Sequence, residues 1–169
     1  MYLTVHAAVG TLIASQTNSP LVAFVGGFVS HFILDFIPHG DEEVYDWYHG
    51  HMGRLALILL LDLSAFILYL SLVRPDLLGR PIPFVYWVGI GGAVLPDFIA
   101  GLTMLAEAQK RRSSEFITVL ALPQLAAAIN KLHFSFHQYL THHWKIRIGV
   151  IPGIIWQIII LCVIGIWLK

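Results

Sequence analysis

Four stretches of the chain are apolar for most of their length. Leu21 to Ile37 is broken only by Ser30, His31 and Asp35. Leu55 to Val73 carries one charge, Asp62, and Ile82 to Ala106 carries one, Asp97. Ile148 to Leu168 carries none. A bilayer core of ~30 Å takes about 20 apolar helical residues, so these stretches read as spans. Leu3 to Ser15 is shorter and reads as a half-span or a tucked helix. Asn18-Ser19-Pro20 separates it from the next segment, and Pro20 suits the first turn of a helix. There is no repeat, linker or low-complexity tract. The pattern predicts an all-α integral membrane bundle of four to six helices, forming one membrane-embedded domain over residues 1–169.

The region from Glu107 to Arg147 breaks this pattern. Lys110 to Glu115 is a polar loop. Phe116 to Asn130 is apolar but short, with Pro123 inside it, and is either a fifth span or part of a hairpin on one face. Lys131 to Trp144 mixes Phe134, Phe136, Tyr139 and Trp144 with His133, His137, His142 and His143, the composition of a helix lying in the interface. His133 and His137 are read there as interfacial side chains. If Phe116–Asn130 does not cross, Arg54, Lys110, Arg111, Arg112, Lys131, Lys145 and Arg147 share the side that holds Asp41. Only Arg74, Arg80 and Lys169 lie opposite. That excess places the Asp41 side in the cytoplasm.

Composition sharpens the class. Hydrophobic residues make up 57% and charged residues 12%, against roughly 45–50% and about 25% in soluble domains. Ten basic residues balance ten acidic ones, which excludes nucleic acid as a partner, since phosphate binding needs a basic surplus. Membrane lipids are the expected surroundings. A single cysteine, Cys162, excludes a disulfide framework and a thiolate zinc site. Met1-Tyr2-Leu3-Thr4 has no basic run of the signal-peptide kind, so attachment is expected from the chain's own helices.

Nine histidines in 169 residues are the first chemical clue. Ionisable groups within a span cost ~2.5–3.5 kcal/mol each on insertion scales, which makes them candidates for function. His31 and Asp35 stand at i,i+4 on one helix face. Pro38 ends the helix or the regular structure nearby, so His39 sits at its mouth; steps of four residues rotate only ~40°, and the His31, Asp35, His39 stripe is able to point into one pocket. His6, Asp97 and the His49/His51 pair fall at the same membrane face if the first helix crosses. Histidine with aspartate, without thiolates, suits zinc or another divalent ion. The set His6, His31, Asp35, His39 and Asp97 has enough ligands for one or two ions with a bridging aspartate. Asp41 and Glu42 follow at the mouth as candidate catalytic bases. The competing reading is a structural polar network, in which each histidine serves a backbone carbonyl and each aspartate a neighbouring cation. Asp62 lies deeper and is expected to bond within the bundle.

His6 with Gly10, Gly27-x2-Ser30-His31-x3-Asp35-x2-Pro38-x-Gly40, and Leu95-Pro96-Asp97 resemble motifs of the YdjM-type inner-membrane metal-dependent hydrolases. That family is itself similar to zinc-dependent phospholipase C. The motifs cover about a third of the chain. The family's His-Arg-Gly-x-Thr-His-Ser motif has only a faint echo in Tyr48-His49-Gly50-His51, and Leu95-Pro96-Asp97 lacks the usual second acid. The resemblance implies a prokaryotic inner-membrane protein that hydrolyses a phospho-ester, lipid-like substrate with metal-activated water. The alternative from another class is a non-catalytic metal or proton carrier, or a haem-binding membrane protein. A third is a structural membrane adaptor whose histidine-rich face docks a partner.

Overall fold

A computed structural model of the chain describes residues 1–37, 39–40, 44, 46–47, 51–110, 123–144 and 148–169. Among the described residues it is all-helical, with no strand. The helices are α1 (Leu3–Ser15), α2 (Pro20–Asp35), α3 (Met52–Val73), α4 (Pro75–Leu78), α5 (Phe84–Lys110), α6 (Pro123–Trp144) and α7 (Val150–Leu168). Two compact units divide the chain, one of Met1–Val94 with Ile146–Lys169, the other of Leu95–Lys145.

Among the described residues these seven helices exceed the four to six expected. The extra one is the single turn α4. Arg74 ends α3 in a non-helical conformation, φ −136° and ψ 62°, and Pro75 restarts a helix at its first position, where its missing N–H costs nothing. Three helical segments are long and apolar enough to cross a membrane: Gly53–Val73, Phe84–Thr103 and Val150–Leu168. The fourth expected span falls short. Helix α2 has 16 residues, or roughly 24 Å at 1.5 Å per residue. It stops at Asp35, and the residue before Pro38 resists the helical conformation. The Ser19 hydroxyl caps its other end, accepting from the Val22 N–H at 3.4 Å.

The division expected at Asn130/Lys131 is also corrected. Across the described residues one helix runs unbroken from Pro123 through Asn130 and Lys131 to Trp144. Residues 111–122 and 145–147 lie outside the described residues. With them go most of the polar loop, the first part of the Phe116–Asn130 segment, and Arg111, Arg112, Lys145 and Arg147 of the charge count.

In the first unit the packing is tightest where side chains are smallest. A Cβ built on Gly10 of α1 would lie 2.6 Å from the Gly89 carbonyl oxygen of α5, and one built on Gly89 would lie 2.7 Å from that of Gly10. The two backbones touch there, as small-residue helix interfaces in membranes allow. Around this contact the usual distribution of polarity is inverted. Thr4, His6, Thr11, Ser30, His31, Asp35 and Gln157 are buried, while Leu60, Leu72, Ile151, Ile166 and Trp167 are more than half exposed.

The start of α1 has no cap of its own. Its orphan N–H groups are satisfied by polar side chains from two other helices. Asp62 of α3 accepts from the Leu3 N–H at 2.7 Å and the Thr4 N–H at 3.1 Å, and the Thr4 hydroxyl bonds both its carboxylate and its backbone carbonyl. Gln157 of α7 accepts from the Tyr2 N–H at 2.9 Å. Asp62 is thus a cap in trans, in agreement with its expected bonding inside the bundle.

Candidate functional site

His6, from the second turn of α1, faces the last turn of α2. There His31 and Asp35 lie one helical turn apart, as their spacing predicts. His6 Nε2 is 3.3 Å from Asp35 Oδ1, and His31 Nε2 is 3.1 Å from Asp35 Oδ2. Each carboxylate oxygen therefore meets a different imidazole. All three side chains are fully buried, and the two rings stack with centroids 4.1 Å apart. The Met1 amino group contacts Asp35 Oδ1 at 3.1 Å and His39 Nε2 at 2.6 Å.

Hydrogen bonds fix two of these imidazoles. His31 Nδ1 lies 2.9 Å from the Ala93 carbonyl oxygen of α5. A carbonyl only accepts, so Nδ1 carries the proton. With Nδ1 so engaged, it is Nε2 that faces the Asp35 carboxylate oxygen. His39 Nδ1 likewise donates to the Ile37 carbonyl oxygen at 2.6 Å, which leaves Nε2 to accept from the Met1 amino group.

The stripe from His31 to His39 is not continuous. Helix α2 ends at Asp35, so His39 stands beyond the helix. Its connection to Asp35 runs through the Met1 amino group. Gly40, at φ +71°, turns the chain there in the left-handed region that glycine enters at little cost.

Asp97 belongs to the second unit. Its described partner there is His133, at 3.3 Å between Asp97 Oδ1 and His133 Nε2. His137 Nε2 approaches the same His133 nitrogen at 3.1 Å. His133 is 5% exposed, so the expected interfacial role fails for it. The i,i+4 histidine pair was visible in the sequence, but the aromatic-rich setting pointed it toward water. His51 is exposed at the N-terminus of α3. Asp41 and Glu42, the candidate bases, lie outside the described residues, as does His49.

The separations across Asp35 lie in the range of both a hydrogen bond and the ligand spacing of a divalent ion. Tetrahedral zinc with ligands at 2.0–2.1 Å places its ligand atoms about 3.3 Å apart. The 3.1 and 3.3 Å separations across Asp35 fit that spacing on both sides of one carboxylate. No family model, curated protein or solved structure matches the chain. The likeness to the YdjM-type hydrolases therefore rests on the short motifs quoted above.

Proposed function

We propose that this is an integral membrane protein in which His6, His31 and Asp35, with His39 beside them, hold one or two divalent ions, zinc first among them. The observation that carries the reading is the His31–Asp35 contact. With His31 Nδ1 engaged by the Ala93 carbonyl, Nε2 faces a buried Asp35 oxygen at 3.1 Å, an imidazole–carboxylate pair that would supply two ligand atoms to a cation. The inverted surface, apolar outside and histidine-rich within, supports lipid as the surroundings, alongside the three span-length helices.

The activity proposed is hydrolysis of a phospho-ester in a lipid-like substrate in a prokaryotic inner membrane. A bound zinc supplies a water whose pKa is lowered toward ~7, a nucleophile at neutral pH. The chain's own part is to orient the ligands. Ala93 fixes the tautomer of His31, the carbonyl-to-imidazole support common behind metal-binding histidines. Asp35 divides its two oxygens between two rings, which suits it to bridge a pair of ions.

The test starts from membranes washed at alkaline pH, extraction of the protein in detergent and measurement of its metal content. Zinc is expected at one or two equivalents. Asp35→Ala and His31→Ala should each lose most of it, whereas Asp76→Asn at the exposed Arg74 pair should keep it. Metal-free wild-type protein would overturn the reading and leave a proton shared between His31 and Asp35, the carrier alternative. Full metal content without hydrolysis across a phospholipid and phosphodiester panel would remove the hydrolase half.

A further inference from the structure

Helix α7 is apolar from end to end except at Gln157, and Gln157 is 3% exposed. A buried amide in such a helix needs partners for both its ends. Its Oε1 accepts from the Tyr2 N–H at 2.9 Å, and its Nε2 donates to the His39 carbonyl oxygen at 3.3 Å. Tyr2 opens the turn before α1, whose second turn carries His6. The other end of the amide holds the backbone of His39 itself. One turn earlier on α7, at the i,i−4 position, Gly153 leaves room for that backbone, because a Cβ built there would collide with the His39 carbonyl oxygen.

We propose that Gln157 is a positioning residue for the histidine–aspartate cluster. It ties together the two segments, outside α2, that bring histidines to Asp35. One amide fixes the entry of α1, and so the register of His6, together with the main chain of His39. This rests on the proposed reading of the cluster as a metal site, although Gln157 contacts none of the ligand atoms. A purely structural amide would stabilise the bundle without regard to which histidines are present. A positioning amide acts only through them.

The experiment is a double-mutant cycle on zinc affinity, measured by chelator competition on the full chain in detergent. Gln157→Leu should weaken zinc binding at least tenfold. In a His6→Ala or a His39→Ala background, the same substitution should weaken it by less than in the wild type, because one of the two rings it positions is gone. Equal weakening in all three backgrounds would overturn the inference and leave Gln157 a packing residue. Unchanged affinity in the Gln157→Leu single variant would also overturn it while leaving the metal site standing. Absence of zinc from the wild type would remove the site reading itself, and the inference with it. If Gln157→Leu does not fold, Gln157→Asn, one methylene too short to reach both partners, runs the same cycle with the same expected pattern.

Discussion

Removing the Asp62 carboxylate should cost the bundle about 3 kcal/mol. The perturbation is Asp62→Ala. The carboxylate accepts from two backbone N–H groups, Leu3 at 2.7 Å and Thr4 at 3.1 Å. The Thr4 hydroxyl does not depend on it alone, because it also reaches the Asp62 backbone carbonyl at 2.7 Å, and that group survives the substitution. Two charge-assisted bonds are therefore lost, each worth roughly 1.5–3 kcal/mol. The lower end applies because the site is only partly buried. Asp62→Asn keeps one oxygen acceptor but turns an amide donor toward the second N–H, so about half the loss is expected, ~1.5 kcal/mol. Thr4→Val should cost least, ~1 kcal/mol, since it removes one neutral donor. The assay is reversible unfolding in mixed detergent micelles, followed by circular dichroism. The order Asp62→Ala, Asp62→Asn, Thr4→Val is the signature of trans-capping. A loss under ~0.5 kcal/mol for Asp62→Ala, the size of an ordinary surface change, would refute it.

Two further outcomes are open to the same assay. Gly10→Ala should destabilise by ~1–2 kcal/mol despite the gain of about 1 kcal/mol in helix propensity, because its Cβ would meet the Gly89 carbonyl at 2.6 Å and overpacking costs typically 1–3 kcal/mol. Gly91→Ala on α5, two residues from Gly89 but with nothing within 4 Å of its Cβ position, should be neutral or stabilising; the same sign at both positions would remove the argument. The third concerns pH. Two hydrogen bonds from Arg74, at 2.8 and 2.9 Å, hold the Asp76 carboxyl below its ordinary value. Its contribution is present above the unfolded carboxylate range near ~4 and is lost as pH falls through the lower folded value. Asp76→Asn should therefore abolish that component of acid sensitivity, and an unchanged acid profile would count against the pair.

What the sequence made legible was local. His31 and Asp35 share a face because a helix repeats every 3.6 residues, and no knowledge of the rest of the chain is needed to see it. The span-length helices likewise follow from unbroken apolar runs. Pro38 marks the helix end in the sequence and puts His39 at its mouth, but the link from His39 to Asp35 through the Met1 amino group is a tertiary contact that no spacing shows. The partners of Asp62 and Gln157 lie 58 and 155 positions away, and no spacing rule reaches that far. His133 shows the limit from the other side. Its aromatic-rich surroundings suit an interface, yet it is buried and meets Asp97, which sits on a different helix.

The trans-capped start of α1 also carries a consequence for how the protein is made. A ribosome working from the first residue at ~5–20 residues per second produces Tyr2 well before Gln157, on the order of 10–30 s earlier at that rate. Throughout that interval the Tyr2 N–H has no partner from α7, and before Asp62 emerges neither do those of Leu3 and Thr4. In the membrane-embedded arrangement proposed above, bare N–H groups would be costly in hydrocarbon, and the opening turn of the first helix would belong in water or within the insertion machinery until the last helix arrives. Assembly of the cluster around Asp35 is then a late event in biosynthesis, and a nascent chain halted before residue 157 should expose its N-terminal turn to water-soluble reagents that the finished protein excludes.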